Sequence, residues 1–224
     1  MDQIRQDFRF ALRSLQRAPA FTLIIVLTLG LGVGANTAIF SLMDQVLLRM
    51  LPVNDPERLV LLDGPGAFSG RTNGPQVFSV PMLRGLEAAS GGVLEGLFAR
   101  YETGATMAIG KGSERISAEL VSGDYFPMLG VPAVLGRTLG ADDDRAPGAH
   151  PVAVLSYGFW QRRFGGQTTV LNQDVRINGH PLTVVGVAAR DFAGVEMSSA
   201  VDVFVPLMMK AQMTPQWDAL DDRR

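Results

Sequence analysis

Three places in this sequence carry residue types that could do chemistry. Gly30, Gly32 and Ala35, in LTLGLGVGANTAIFS, stand at the G-x-G-x-x-A spacing of a turn that cradles the phosphates of a dinucleotide. Asp142, Asp143 and Asp144 form an acidic run that invites a calcium ion. Ser156, with His150 and His180 as the only imidazoles, is the material for a nucleophilic site. Each fails on its surroundings. A dinucleotide turn needs a short strand before it and an amphipathic helix after it. Here apolar residues continue on both sides of the glycines, from Phe21 to Leu42, and the acidic residue due about 20 positions on would be Asp55, inside the turn signal Asn54-Asp55-Pro56. A calcium loop needs alternating oxygen ligands, a glycine within the loop and a distant glutamate, so the aspartate run reads as a solvated loop, with His150 as another loop residue. Ser156 is not in G-x-S-x-G, neither histidine has an acidic partner at a motif spacing, and no His/Glu metal motif occurs. The absence of cysteine excludes disulfides, thiolate chemistry and cysteine-bound zinc. No catalytic, metal or cofactor residue is assigned, although carboxylates distant in sequence could still meet in the fold.

The element around those glycines is the more informative feature. Ala18 to Met43 contains no Asp, Glu, Lys or Arg. As a helix it would be about 39 Å long, against a hydrocarbon core of roughly 30 Å. Its Leu, Ile, Val and Phe residues favour insertion by a sum on the order of 5 kcal/mol, enough to carry Asn36 and the threonines. A membrane helix is therefore expected over 19–49, running past the lipid at its far end. In such a helix Gly30 and Gly34 form a GxxxG pair, open to two readings: a packing face for a partner helix, or the ordinary abundance of glycine in membrane spans. The apolar run is too long for a signal peptide, and GVGA is a poor cleavage site.

Residues 1–18 have a different pattern. Ile4, Phe8, Leu12 and Leu15 fall on one helical stripe, and Arg5, Arg9, Arg13 and Arg17 recur every fourth residue beside it. A basic amphipathic helix of this kind lies in the membrane interface, its guanidinium groups toward anionic headgroups. Pro19 suits the first turn of the next helix. The four arginines precede the span, whereas Asp44, Asp55 and Glu57 accompany Arg49 and Arg58 after it, so the N-terminus is expected in the cytoplasm and residues after about 45 outside. A net charge of −2 gives no reason to expect nucleic acid as a partner.

Residues 50–224 read as a mixed α+β domain. Strands are expected at Arg58–Leu62, Val93–Arg100, Ala105–Ile109 and Arg115–Val121, the last with Ile116, Ala118 and Leu120 on one face. Ser79 is expected to cap a short helix with Pro81 in its first turn, and SGDYFPMLGV to make a helical turn closed by Gly130. PVAVLS reads as a buried strand whose Ser156 caps YGFWQRRFGG, in which Phe159, Trp160 and Phe164 serve core packing. Asn178-Gly179 between alternating strands is a hairpin, and Val201–Leu207 a closing strand.

Four blocks in order, ANTAIFSLMDQVLLRMLPVNDPERLV, LVSGDYFPMLGVPAVLGRTL, PVAVLSYGFWQRRFGG and RINGHPLTVVGVAARDFAGVE with VDVFVPL, resemble the N-terminal portion of MacB/FtsX-type ABC transporter permeases, most closely the acidobacterial duplicated-permease branch. The resemblance implies a first membrane helix followed by a periplasmic core domain, in an inner-membrane permease that works with a cytoplasmic ABC ATPase and does not itself hydrolyse ATP. It further implies contact with lipid and with other permease helices or a second permease copy as a dimer. Members carry further membrane helices after that domain, so the resemblance makes this chain a part of a longer permease or a truncated product. The alternative is a single-span anchored periplasmic binding or adaptor module without an ATPase. No catalytic residue, metal or cofactor is implied.

Overall fold

A computed structural model describes residues 17–43, 51–63, 78–109, 112–196, 199–216 and 220. The chain divides into two compact units, Met1–Arg49 and Met50–Arg224. In the first, helix α1 spans Pro19–Met43. Proline starts it at the position where its missing N–H costs nothing. Three hydroxyls inside the apolar run have no water to bond to in lipid, and each donates instead one turn back along the helix. Thr22 Oγ1 donates to the Ala18 carbonyl at 3.0 Å, Thr28 to Ile24 at 2.8 Å and Thr37 to Val33 at 2.8 Å. The interfacial helix expected over residues 1–18, with Arg5, Arg9 and Arg13, lies outside the described residues except at its end, where Arg17 is exposed. The extension of the span from Met43 to residue 49 also lies outside them.

The second unit is α+β. Its elements are α2 (Val80–Ala89), β1 (Arg100–Ile109), β2 (Gly112–Val121), α3 (Tyr125–Leu129), β3 (Ala133–Gly136), β4 (Val152–Leu155), α4 (Tyr157–Phe164), β5 (Asp174–Ile177), β6 (His180–Ala188), β7 (Val203–Pro206) and α5 (Lys210–Met213). The sheet runs β3-β6-β4-β7-β2-β1-β5, and β5 pairs back to β6. Hydrogen bonding therefore closes a circuit of six strands, β6-β4-β7-β2-β1-β5, with β3 alongside β6. Two pairs, β2 with β7 and β4 with β6, are parallel, and the others are antiparallel.

Strand alternation divides the core in two. Ile116, Ala118, Leu120, Ala153, Leu155, Val203 and Val205 point to one cluster, shared with Phe159 and Trp160 of α4. The neighbours Val121, Val154 and Phe204 point the other way, to Tyr125, Phe126, Leu129 and Phe192. The four rings of Tyr125, Phe126, Phe192 and Phe204 lie 5.2–6.1 Å apart, mostly edge-on.

The hairpin stands as expected, with Asn178 and Gly179 at φ 49° and 84°. Asn178 does more than turn: its Oδ1 accepts from Thr106 N at 2.8 Å and its Nδ2 donates to the Met213 carbonyl at 2.9 Å, tying the turn to β1 and α5. Gly130 closes α3 at φ 64°. Two expected strands are absent. Pro56–Arg58 is a 3-10 turn, where Asp55 at φ 44° and Pro56 turn the chain, and Leu59–Leu62 belongs to no strand. Val93–Ala99 is irregular, and a single strand begins at Arg100 and runs straight through Gly104, whose missing side chain leaves room for the Arg115 guanidinium. Ser79 occupies the N-cap of α2, but its hydroxyl makes no cap hydrogen bond.

At Gly186, where β6 slips by one residue against β4, a Cβ would collide with the Arg137 carbonyl oxygen. Gly186→Ala should therefore cost about 1–3 kcal/mol, lowering the thermal midpoint by roughly 3–10 °C. An unchanged midpoint by circular dichroism would show that the backbone contact yields freely.

Candidate functional site

The aspartate run is less solvated than its composition suggests. Ala141–Asp144 forms a 3-10 turn in which Asp143 is buried. Arg137 grips it with two hydrogen bonds, 2.6 and 2.8 Å, and Gly140 N donates at 3.0 Å. These donors, the guanidinium first, hold the Asp143 carboxyl below the ordinary carboxylate range. Asp144 points elsewhere: Oδ1 accepts from Met208 N at 2.8 Å, joining the loop to the end of β7. Burial pushes its pKa up to about 6. The loop is a structural clasp, and the expectation of a plain solvated run is corrected: Asp143 and Asp144 are tied to Arg137 and to backbone amides, and only Asp142, paired with Arg145, stays exposed. Among the described residues no group of three or more acidic or imidazole side chains could hold a metal ion.

Ser156 is a helix cap, its Oγ accepting from Phe159 N at 3.4 Å. His180 opens β6 at the exposed end of the hairpin, and His150 lies in a loop. The structure does not bring these three together with a carboxylate.

A polar cluster that sequence reasoning missed lies on the second face of β2. Glu119 is fully buried there, in a strand otherwise flanked by apolar neighbours. Arg100 Nη1 donates to its Oε1 at 3.0 Å, and the Tyr125 hydroxyl donates to its Oε2 at 3.0 Å. Arg100 Nη2 reaches on to Glu196 Oε2, also at 3.0 Å. Burial drives the Glu119 carboxyl above its ordinary value despite the arginine, and raises the Tyr125 hydroxyl further. Arg100 loses by burial too, but Glu196 and Glu119 more than compensate and hold its charge. The only cue was period-2 alternation, which places residue 119 opposite Ala118 and Leu120 but cannot tell a buried face from a solvated one.

The remaining candidate is α1. Apart from Thr22, every residue whose side chain is described from Pro19 to Met43 is exposed, and Leu31 reaches 78%. The helix is long and apolar enough to cross a membrane. Gly30 and Gly34, one turn apart, have nothing within 4 Å of where a Cβ would stand.

A family model for the MacB-like periplasmic core domain matches residues 22–221, from the first turn of α1 through the last described residue of the domain. The chain belongs to that family. This bears out the resemblance to MacB/FtsX-type permeases. Among solved structures, the extracellular domain of the noncanonic ABC-type transporter YknZ from Gram-positive bacteria is similar, at 18% identity and TM-score 0.51, over 63% of this chain and 68% of that one. The periplasmic region of MacB from Actinobacillus actinomycetemcomitans is similar at 17% identity and TM-score 0.52, over 68% of this chain and 66% of that one. At these identities the likeness is one of fold. No protein of curated function matches the sequence.

The two aspartates of the clasp should respond oppositely to loss of charge. The lowered pKa of Asp143 means its contribution is present above the ordinary carboxylate value and is lost as pH falls through the depressed one. The raised pKa of Asp144 means its contribution is complete below the ordinary value and is lost as pH rises through about 6. At pH 7, Asp143→Asn should lower stability by an amount on the order of 1 kcal/mol, and the midpoint with it, since Arg137 is half exposed and the pair is screened. Asp144→Asn should leave the midpoint unchanged or higher at pH 7, and should flatten its rise between pH 7 and 5. Thermal melts across that range that show equal losses for both variants would contradict this assignment.

Proposed function

We propose that this chain is the part of an ABC transporter permease that carries ATPase-driven motion across the inner membrane to an extracytoplasmic domain. One observation supports this above the others: a single family match takes in an uncharged helix and the α+β domain that follows it in sequence. The described residues offer no catalytic constellation to support an enzymatic reading in its place, so the work assigned to the chain is mechanical.

In this reading α1 lies among acyl chains, with Arg5, Arg9, Arg13 and Arg17 at the cytoplasmic headgroups. The basic flank keeps the N-terminus in the cytoplasm and puts residues after about 45 in the periplasm. The open backbone at Gly30 and Gly34 receives another permease helix or α1 of a second copy, giving a dimer. The energy comes from a cytoplasmic ABC ATPase, and neither a cofactor nor nucleic acid is involved.

Because the chain has no cysteine, single cysteines report topology without background. Ser113→Cys, on the exposed start of β2, should react with a membrane-impermeant maleimide in spheroplasts, and Arg5→Cys only after lysis. The reverse pattern would overturn the orientation, and equal labelling before lysis would overturn the span. Gly34→Leu should weaken helix association in a membrane crosslinking assay, whereas undiminished crosslinking would reject the packing face. Stimulation of a co-expressed ABC ATPase separates the permease reading from an anchored adaptor, which would leave ATP hydrolysis unchanged.

A further inference from the structure

The ion pair between Arg100, partly buried on β1, and Glu119, buried on β2, has a puzzling energetic position. A carboxylate and guanidinium taken from water cost several kcal/mol each, and well-packed neutral side chains of similar size commonly do as well or better. Burial raises the Glu119 carboxyl even with Arg100 in contact, so its charge subtracts from stability at neutral pH. What the pair does reach is a separate stretch of chain. Ala193–Glu196 passes over the Glu119 carboxylate at Gly194, where φ is 109° and a Cβ would stand 3.0 Å from Val201 Cγ2 and 3.6 Å from Glu119 Oε2. Val195 offers its backbone N–H to the Tyr125 hydroxyl, and Glu196 takes the second arm of Arg100. This stretch is anchored on its N-terminal side by Phe192 in the aromatic cluster and on its C-terminal side by Val201, whose N–H donates to the Ala193 carbonyl at 2.9 Å. Between those anchors Val195 packs against the aromatic cluster, and the other attachments to β1, β2 and α3 are polar, Ser199 Oγ donating to Glu102 Oε2 at 2.7 Å among them.

We propose that Arg100, Glu119 and Tyr125 form a releasable catch that holds Ala193–Glu196 down on the β1–β2 hairpin, so that this segment opens and closes while the domain stays folded. Arg100 is the positioning residue: one guanidinium spans the sheet carboxylate and the segment carboxylate, and its two arms need both. The aromatic rings beneath keep the anchors fixed when the arms let go. The inference concerns the domain alone and stands independently of the transporter reading.

Hydrogen exchange on the full chain in detergent micelles tests it, since local opening and global unfolding are separated by which amides exchange. The paired substitution Arg100→Met with Glu119→Gln removes both buried charges and leaves Tyr125 an acceptor. It should keep wild-type protection in β4 and β6 and raise exchange of a peptide covering 190–200 by about tenfold. Unchanged exchange in that peptide, or an equal rise throughout the domain, overturns the catch. If the paired variant does not fold, Glu196→Gln decides: the residue is half exposed and its loss leaves the core intact. It should speed exchange in the same peptide severalfold with an unaltered thermal midpoint, and no change would overturn the proposal.

Discussion

A helix that is apolar on every side has no stable place in water. Exposing a Leu, Ile, Val or Phe side chain costs roughly 1.5–3 kcal/mol relative to burying it. Phe21, Leu23, Ile24, Val26, Leu27, Leu29, Leu31, Val33, Ile39 and Phe40 of α1 are all well exposed. Together they would cost more than the 5–15 kcal/mol by which a domain of ordinary size is stable. Lipid removes that cost and at the same time demands that polar groups be satisfied within the helix, which the three threonine hydroxyls achieve by bonding to carbonyls one turn back. The proposed placement of the basic N-terminal stripe at the headgroups and of the domain outside the cytoplasm both build on this solvent requirement.

The domain answers a different demand. Its strands must bury both faces, and alternation sends Val203 and Val205 into one cluster and Phe204 into the other. Pairing of β5 with both β1 and β6 closes the strand circuit and leaves fewer open edges for unwanted pairing. The carboxylates drawn inside are bound to specific partners: Asp143 to Arg137, Asp144 to the Met208 amide, and Glu119 to Arg100 and Tyr125. These contacts join loops to sheet, and their geometry is that of attachment and not of catalysis.

Local signals in the sequence were reliable where the cause is local. The Asn178-Gly179 turn, the Gly130 stop and the Ser156 cap are each set by backbone chemistry within a few residues. Ile116, Ala118 and Leu120 were legible as one face because they alternate against a polar set. The errors arose where partners are remote. Leu59–Leu62 has strand-forming residues but pairs with no strand among the described residues, and β1 continues through Gly104, where the Arg115 guanidinium covers the gap. Glu119 carried no sequence signal of its own, and its burial depends on Tyr125, Arg100 and a segment some 75 positions later, none of which periodicity can place.

Alkaline carbonate extraction of membranes from cells producing the full chain addresses the solvent requirement directly, because it strips peripheral proteins and leaves those embedded by an apolar span. The account predicts that the protein stays with the lipid pellet. Recovery of folded protein in the aqueous supernatant would contradict it.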